Sequence, residues 1–361
     1  MEEEKIRFSV SKNVFYNPAM RLCRSMSSLA VGAIDQNLEV VDAFCASGIR
    51  GIRYAKENKN VKKLTSIDID KRAISLAKKN SKANKLKALA AIGNVSRLAF
   101  EYDADFLEID PFGTPSPYLI DAFRFFNTKK EAYLSVTATD VAVLCGGKTA
   151  PCMKNYHSKP LNNEFTHETG LRIMLKKMAE TAAEFNMGMT PLVSFSDKHY
   201  LKSVVHVKRS ADLAFDTMKQ LGHIFYCKQC GARGSGIFPP DRCPQCKAEV
   251  DFAGPLWLGE LHDKGFIKQM AQLNEKRDYS DKIEIGKMLA LMENEVGMPP
   301  YYYNIHELCK MGRLLSVPTM DAIIKLLQDR GHRAFRTHFS PICIKTDAPV
   351  REILGVLGWK S

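Results

Sequence analysis

The 361-residue chain predicts an α/β protein built on a doubly wound, mostly parallel sheet. Three observations carry that prediction. Short apolar runs alternate with helical stretches, the run at LEVVDAF passes directly into a small-residue turn, and aspartates close the second and fourth runs. Alternation of this kind leaves no room for tight hairpins, so successive strands must run parallel with helices crossing the sheet faces.

The elements follow in order. From Leu38 the run LEVVDAF is strand material, CASG is a turn, and a helix starts near Ile49. LTSI ends on Asp68, a helix runs from about Lys71 to Asn84, and a weaker strand at ALAAI precedes Gly93. DFLEI leads into Asp110, helix-like residues extend from Tyr118 to Phe126, and AYLSVTAT is strongly strand-forming. A long helix is expected from Thr166 to Phe185, because Leu171, Met174, Leu175, Met178 and Ala182 recur near helical spacing. MTPLVS and SVVHVK then read as two strands around the turn-like SDKHYLK, an antiparallel ending more typical of class I methyltransferases than of dehydrogenases. After Lys208 the character changes. A cysteine-rich stretch spans Cys227 to Cys246, and later residues read as helix, a short turn with Pro318, helix, then strands at AFRTHF and PICIKT, an order that resembles a winged helix. The expected division is 1–220 for the sheet domain and 221–361 for a cysteine knuckle and a smaller C-terminal α/β domain.

A hydrophobic content of 45% can fill real cores, which excludes a disordered or fibrous chain. Lys and Arg outnumber Asp and Glu by 52 to 40, a formal charge of +12 that favours an anionic partner, nucleic acid being the commonest. MEEEKIRF is acidic where an export signal would be basic, and no apolar run reaches membrane-spanning length. Ten cysteines without an export signal point away from a disulfide framework, so the expected setting is the cytoplasm, with no membrane. Oligomeric state is open, with a monomer as the default.

The turn D-A-F-C-A-S-G-I-R-G, Asp42 to Gly51, supplies small residues where a nucleotide-type ligand needs close backbone approach, and it makes Asp42 and Gly48 candidate cofactor contacts. Asp68, twenty positions after Gly48, ends the second strand where a carboxylate can accept both ribose hydroxyls of an adenosine. A helix N-cap is the competing role, for which Asp70 is the better candidate. Asn94 and the Val95 backbone, after the third strand, can meet the adenine edge. These features alone do not separate S-adenosylmethionine from NAD.

The fourth strand makes the choice. Asp110-Pro111-Phe112-Gly113-Thr114-Pro115 resembles the motif of amino-methyltransferases that act on nucleobases. An exocyclic guanine amine is a poor nucleophile because its lone pair is delocalised into the ring. A carboxylate accepting one N–H, with a backbone carbonyl accepting the other, directs that lone pair at a sulfonium methyl. Phe112 would stack on a base extruded from the helix. A simple proline-rich turn is the competing reading of DPFGTP.

Together F-Y-N-P-A-M (Phe15 to Met20), the Asp42–Glu57 segment, D-P-F-G-T-P and V-T-A-T-D-V-A-V-L-C-G (Val136 to Gly146) resemble the tRNA (guanine-26-N2)-dimethyltransferase family in both wording and order. The resemblance implies a Rossmann-like class I methyltransferase fold, S-adenosyl-L-methionine as methyl donor, tRNA as partner, and two transfers to N2 of guanosine 26. It also implies cofactor contacts from Arg24, Arg50, Asp68, Asn94 and Val95, with Asp110 at the reaction centre between Phe15 and Phe112. One departure is Cys23-Arg24-Ser25, where the family often has Asn-Arg-Asp.

Cys227-x2-Cys230 and Cys243-x2-Cys246 match a tetrahedral four-thiolate zinc site, which is structural because no position stays open. Lys228, Arg233, Arg242 and Lys247 among the cysteines, and Lys198, Lys202, Lys208 and Arg209 on the late strands, are candidates for phosphate contact or for a solvated surface. Two other functions compete with the first. One is an amino-methyltransferase for another nucleobase; the other is a non-enzymatic zinc-ribbon RNA-binding protein, against which Asp68 and Asp110 speak.

Overall fold

The computed structural model describes residues 1–312 and 318–358. Seven strands form the main sheet: β1 (Leu38–Asp42), β2 (Val61–Asp68), β3 (Leu89–Ile92), β4 (Phe106–Ile109), β5 (Glu131–Ala138), β6 (Met187–Asp197) and β7 (Tyr200–Arg209). Their order is β3-β2-β1-β4-β5-β7-β6, parallel through the first five, with β7 antiparallel to both neighbours. The chain reverses direction of build between β1 and β4, so the crevice lies beyond the carboxyl ends of those two strands.

The central strands are buried on both faces, which is why they read as continuous apolar runs. Side-chain alternation divides them between two cores. Val41 and Leu107 join Phe123, Phe126, Leu171, Met174 and Met178 on one face. Val40 and Phe106 join Met26, Leu29, Tyr54 and Leu64 on the other. Helix α1 (Arg21–Ala33) precedes β1; the crossover helices include α2 (Ile49–Glu57), α3 (Lys71–Ala83), α4 (Val95–Leu98) and α5 (Leu119–Arg124); α6 (Thr149–Tyr156) and α7 (Thr166–Glu184) follow β5.

The antiparallel pair departs from the expected outline. Only Lys198 and His199 separate β6 from β7, because Tyr200 and Leu201 are buried and paired with Asp197 and Ser196. Tertiary burial therefore draws most of SDKHYLK into the strands.

Beyond residue 220, β8 (Leu221–Tyr226), β9 (Arg233–Gly236) and β10 (Asp251–Trp257) form an antiparallel sheet that carries the cysteine knuckles. Helices α8 (Lys264–Glu275) and α9 (Lys282–Glu295) follow, then β11 (Tyr303–Asn304), α10 (Ile305–Met311), α11 (Met320–Asp329), β12 (Ala334–Thr337) and β13 (Ser340–Thr346). The small sheet has the order β11-β13-β12. The helix, turn, helix and hairpin follow in the expected order; residues 313–317, part of the expected turn before Pro318, lie outside the described residues.

The main sheet ends at Arg209, yet its cores continue past residue 220. Leu256 and Trp257 enter one core, and Phe266, Ile267, Met270 and Leu289 enter the other. The two expected domains thus share apolar surface.

Candidate active site and metal centre

The crevice is shaped first by backbone. Gly48 takes φ +78° at the start of α2, and a Cβ there would stand 2.9 Å from that of Ala77. Asp68 accepts hydrogen bonds from the Ala46 amide (2.9 Å) and the Asp70 amide (2.9 Å), tying the β1 turn to the end of β2. Asp70 caps α3 by accepting from the Arg72 amide. The cap role therefore belongs to Asp70, and Asp68 stays half-buried at the crevice. Asn94 caps α4 and is exposed, while Val95 is buried beside it.

Charge is concentrated under the crevice floor. Arg50 on α2 is buried and forms an ion pair with Asp110 at the end of β4. Its other neighbours are Glu108 at 3.9 Å, Ser27 Oγ at 3.4 Å and Cys23 Sγ at 3.6 Å. Glu108 also pairs with Lys202 and accepts from Tyr54 Oη at 2.8 Å. Burial alone would raise Glu108, but Lys202 and Arg50 outweigh it and hold the carboxyl below the ordinary range. Asp42, accepting from the Gly51 amide at 3.2 Å, is pushed up to about 7 by burial first and by Glu108 second. Gly51 must lack a side chain, since its Cβ would lie 2.9 Å from Leu64 and 3.3 Å from the Asp42 carboxylate.

At the mouth, Phe15 and Phe112 meet edge to face, with centroids 4.8 Å apart and planes at 87°. They remain 53% and 76% exposed, so this pair presents aromatic surface outward instead of filling a core. Phe15 is thus brought from a distant segment to the loop that carries Asp110 and Phe112.

Arg24, expected at the cofactor, has partners within the protein. Its guanidinium is buried against Glu3, with Nε–Oε1 2.8 Å and Nη2–Oε2 2.5 Å, and donates to the Asn17 carbonyl at 3.2 Å. Arg53 Nη1 reaches the same carboxylate at 3.0 Å. The side chain thereby anchors the N-terminal segment that carries Phe15.

Two expected surface cations are also internal. Lys202 is fully buried in the Glu108 pair, and Arg233 is buried, donating to the Tyr302 carbonyl at 2.6 Å and to Glu164 at 2.6 Å. Neither is free for phosphate. The sequence reading missed Glu108, whose only signal was a charged residue inside an apolar strand.

The four knuckle cysteines converge. Cys227 and Cys246 sulfurs lie 3.5 Å apart, those of Cys230 and Cys243 3.6 Å, and all four are within 4.8 Å of one another. A tetrahedron of zinc–sulfur bonds near 2.3 Å has edges of roughly 3.8 Å, so these residues fit the ion. A second group, His262, Glu295 and His338, also meets within 4.8 Å. There Glu295 Oε1 accepts from His338 Nδ1 (2.8 Å), the His338 amide (2.7 Å) and Thr337 Oγ1 (2.8 Å), whereas Glu295 Oε2 and the Nε2 atoms of both histidines are buried without a hydrogen-bond partner. Among the described residues no helix is long and apolar enough to cross a membrane.

Comparison with known proteins gives a consistent result. The family described as N2,N2-dimethylguanosine tRNA methyltransferase matches residues 1–358. The tRNA (guanine(26)-N(2))-dimethyltransferase of Methanobrevibacter smithii is 34% identical over 97% of this chain and 92% of its own length. That of Methanothermobacter thermautotrophicus is 36% identical over 97% and 94%. The structure of Trm1 from Pyrococcus horikoshii with S-adenosyl-L-methionine superposes with a TM-score of 0.89 at 29% identity, covering 99% of each chain. With the whole described chain matched in sequence and in fold, this protein belongs to the N2,N2-dimethylguanosine tRNA methyltransferase family.

Proposed function

We propose that this protein transfers two methyl groups from S-adenosyl-L-methionine to N2 of guanosine 26 in tRNA, and that Asp110 is the residue that orients the amine. The observation that carries the reading is the meeting of Asp110, Phe112 and Phe15 at the end of β4 in a chain of this family. Gly48, Asp68, Asn94 and the Val95 backbone form the adenosine side of the crevice, with the Asp68 carboxylate facing the ribose hydroxyls, while Asp42 and Arg50 support it from beneath the floor. Bound there, the cofactor supplies an electrophilic methyl on a sulfonium.

The chain's own residues do the rest. Phe15 and Phe112 hold the extruded guanine by stacking, which places its N2 against Asp110. Arg50 fixes the orientation of the Asp110 carboxylate, which accepts one N–H of the amine and turns its lone pair toward the methyl. As the N–CH3 bond forms, the methyl–sulfur bond breaks, and the proton leaves nitrogen through Asp110. One N–H survives the first transfer, so the same carboxylate can orient the amine again.

The thiolates of Cys227, Cys230, Cys243 and Cys246 hold a structural zinc ion that closes the knuckle on β8 and β9. The other six cysteines form no disulfide, in keeping with a reducing cytoplasm. The test is methylation of unmodified tRNA with labelled cofactor, followed by nucleoside mass spectrometry and mapping of position. N2-methylated guanosine at position 26 is expected; label at another base or position would overturn the reading.

A further inference from the structure

The DPFGTP loop is held in place by residues that the amine chemistry does not use. Gly113 takes φ +77° and donates its amide to Thr139 Oγ1 at 2.8 Å, while the Thr139 amide returns a bond to the Gly113 carbonyl at 3.0 Å. Thr139 directly follows β5, so this reciprocal pair ties the loop after β4 to the loop after β5. A second tie runs deeper. Thr114 Oγ1 donates to Tyr156 Oη at 2.8 Å, and Tyr156 in turn donates to Asp140 at 2.9 and 3.0 Å to its two oxygens. Tyr156 ends α6 and is wholly buried, so its ring cannot drift. The chain of donors ends on a carboxylate, which polarises and strengthens each bond before it.

We propose that Thr139, Asp140 and Tyr156 form a clamp that positions Asp110 and Phe112, and that its stiffness matters more for the second methyl transfer than for the first. The proposal rests on the reading of Asp110 as the group that orients the amine. Before the first transfer the amine carries two N–H groups, and two acceptors share the task of aiming its lone pair. After it, one N–H and one methyl remain. Aim then depends on a single acceptor, while the added methyl narrows the productive orientations. A loop free to shift by a few tenths of an ångström therefore costs more at the second step, since in-line transfer is steeply sensitive to position.

Thr139 is exposed, and phenylalanine preserves the buried ring of Tyr156, so Thr139→Val and Tyr156→Phe remove hydrogen bonds without emptying the core. In single-turnover reactions on unmodified tRNA, each variant is expected to slow the first transfer about 3-fold and the second about 10-fold or more. N2-monomethylguanosine then accumulates, while cofactor and tRNA affinities stay within about twofold of the parent. Thr139→Ser restores the hydroxyl and is expected to restore the product ratio. Simple loss of folded protein lowers both rate constants equally and leaves their ratio unmoved. An unchanged ratio of first- to second-transfer rate constants in both variants, with Asp110→Ala inactive, overturns the clamp and leaves the role of Asp110 standing. Normal transfer by Asp110→Ala instead overturns the underlying reading.

Discussion

Replacing Asp110 by alanine does two separable things, and the structure gives a size for each. It removes the acceptor proposed to hold the amine, and it removes a partner from a buried guanidinium. The Asp110 side chain is 20% exposed and that of Arg50 9%. Arg50 keeps Glu108 at 3.9 Å, so the substitution weakens a charge network without orphaning it. The expected cost to the fold is about 1–3 kcal/mol, well short of complete unfolding for a domain of this size. The chemical cost is larger in effect. A hydrogen bond that strengthens as positive charge grows on nitrogen contributes to the transition state, and its loss is expected to lower the transfer rate at least ~10²-fold, equivalent to about 2.7 kcal/mol. The assay is single-turnover transfer at saturating cofactor and tRNA, at a temperature where the variant remains folded, alongside equilibrium binding of both ligands. Binding should be nearly unchanged, because the role proposed for Asp110 engages neither the phosphate backbone nor the ribose. Asp110→Asn should retain part of the rate, since its amide oxygen still accepts one hydrogen bond. A transfer rate within a few-fold of the parent in Asp110→Ala would refute the reasoning and return DPFGTP to the status of a turn.

Three further outcomes are expected. Asp68→Ala weakens cofactor binding by about thirty-fold or more, on the order of 2–4 kcal/mol, while tRNA binding is retained; unchanged cofactor affinity by calorimetry would remove the ribose role. One zinc ion per chain should co-purify and disappear in Cys243→Ser together with a lower melting temperature; metal-free parent protein would end the knuckle reading. Asp42 sits well above the ordinary aspartate value of 3.8, at about 7, so the folded state binds its proton more tightly than the unfolded state. Its contribution is therefore fully present at acid pH and is lost as pH rises from about 4 to about 7. Asp42→Asn, which keeps an acceptor for the Gly51 amide, should flatten that part of the stability profile. Identical slopes for parent and variant would contradict the assignment.

The parallel sheet, the turn after β1, the aspartates at the strand ends and the cysteine pairs are all legible in the order of residues. Each of these is written in local pattern: apolar runs of strand length, small residues at a turn, C-x2-C spacing. Residue order also gives Phe15, Asp110 and Phe112 as a group, but only through resemblance, since nothing local says that Phe15 crosses the crevice to meet Phe112. The tertiary structure decided what pairing and burial control. Lys202 reads as a surface cation on an antiparallel strand, and becomes the buried counter-ion of Glu108 because β7 lies beside β5 in the sheet interior. Arg24 reads as a cofactor contact, and its ion pair with Glu3 of the N-terminal segment is visible only in the fold. Arg233 lies between cysteine pairs and turns inward to Glu164 and Tyr302. The tie from Thr139 and Tyr156 to the DPFGTP loop depends on two loops meeting across the ends of β4 and β5. Charged side chains and loop contacts of this kind are fixed by partners far away in the chain, and a linear pattern carries no record of which partner a long, flexible side chain will find.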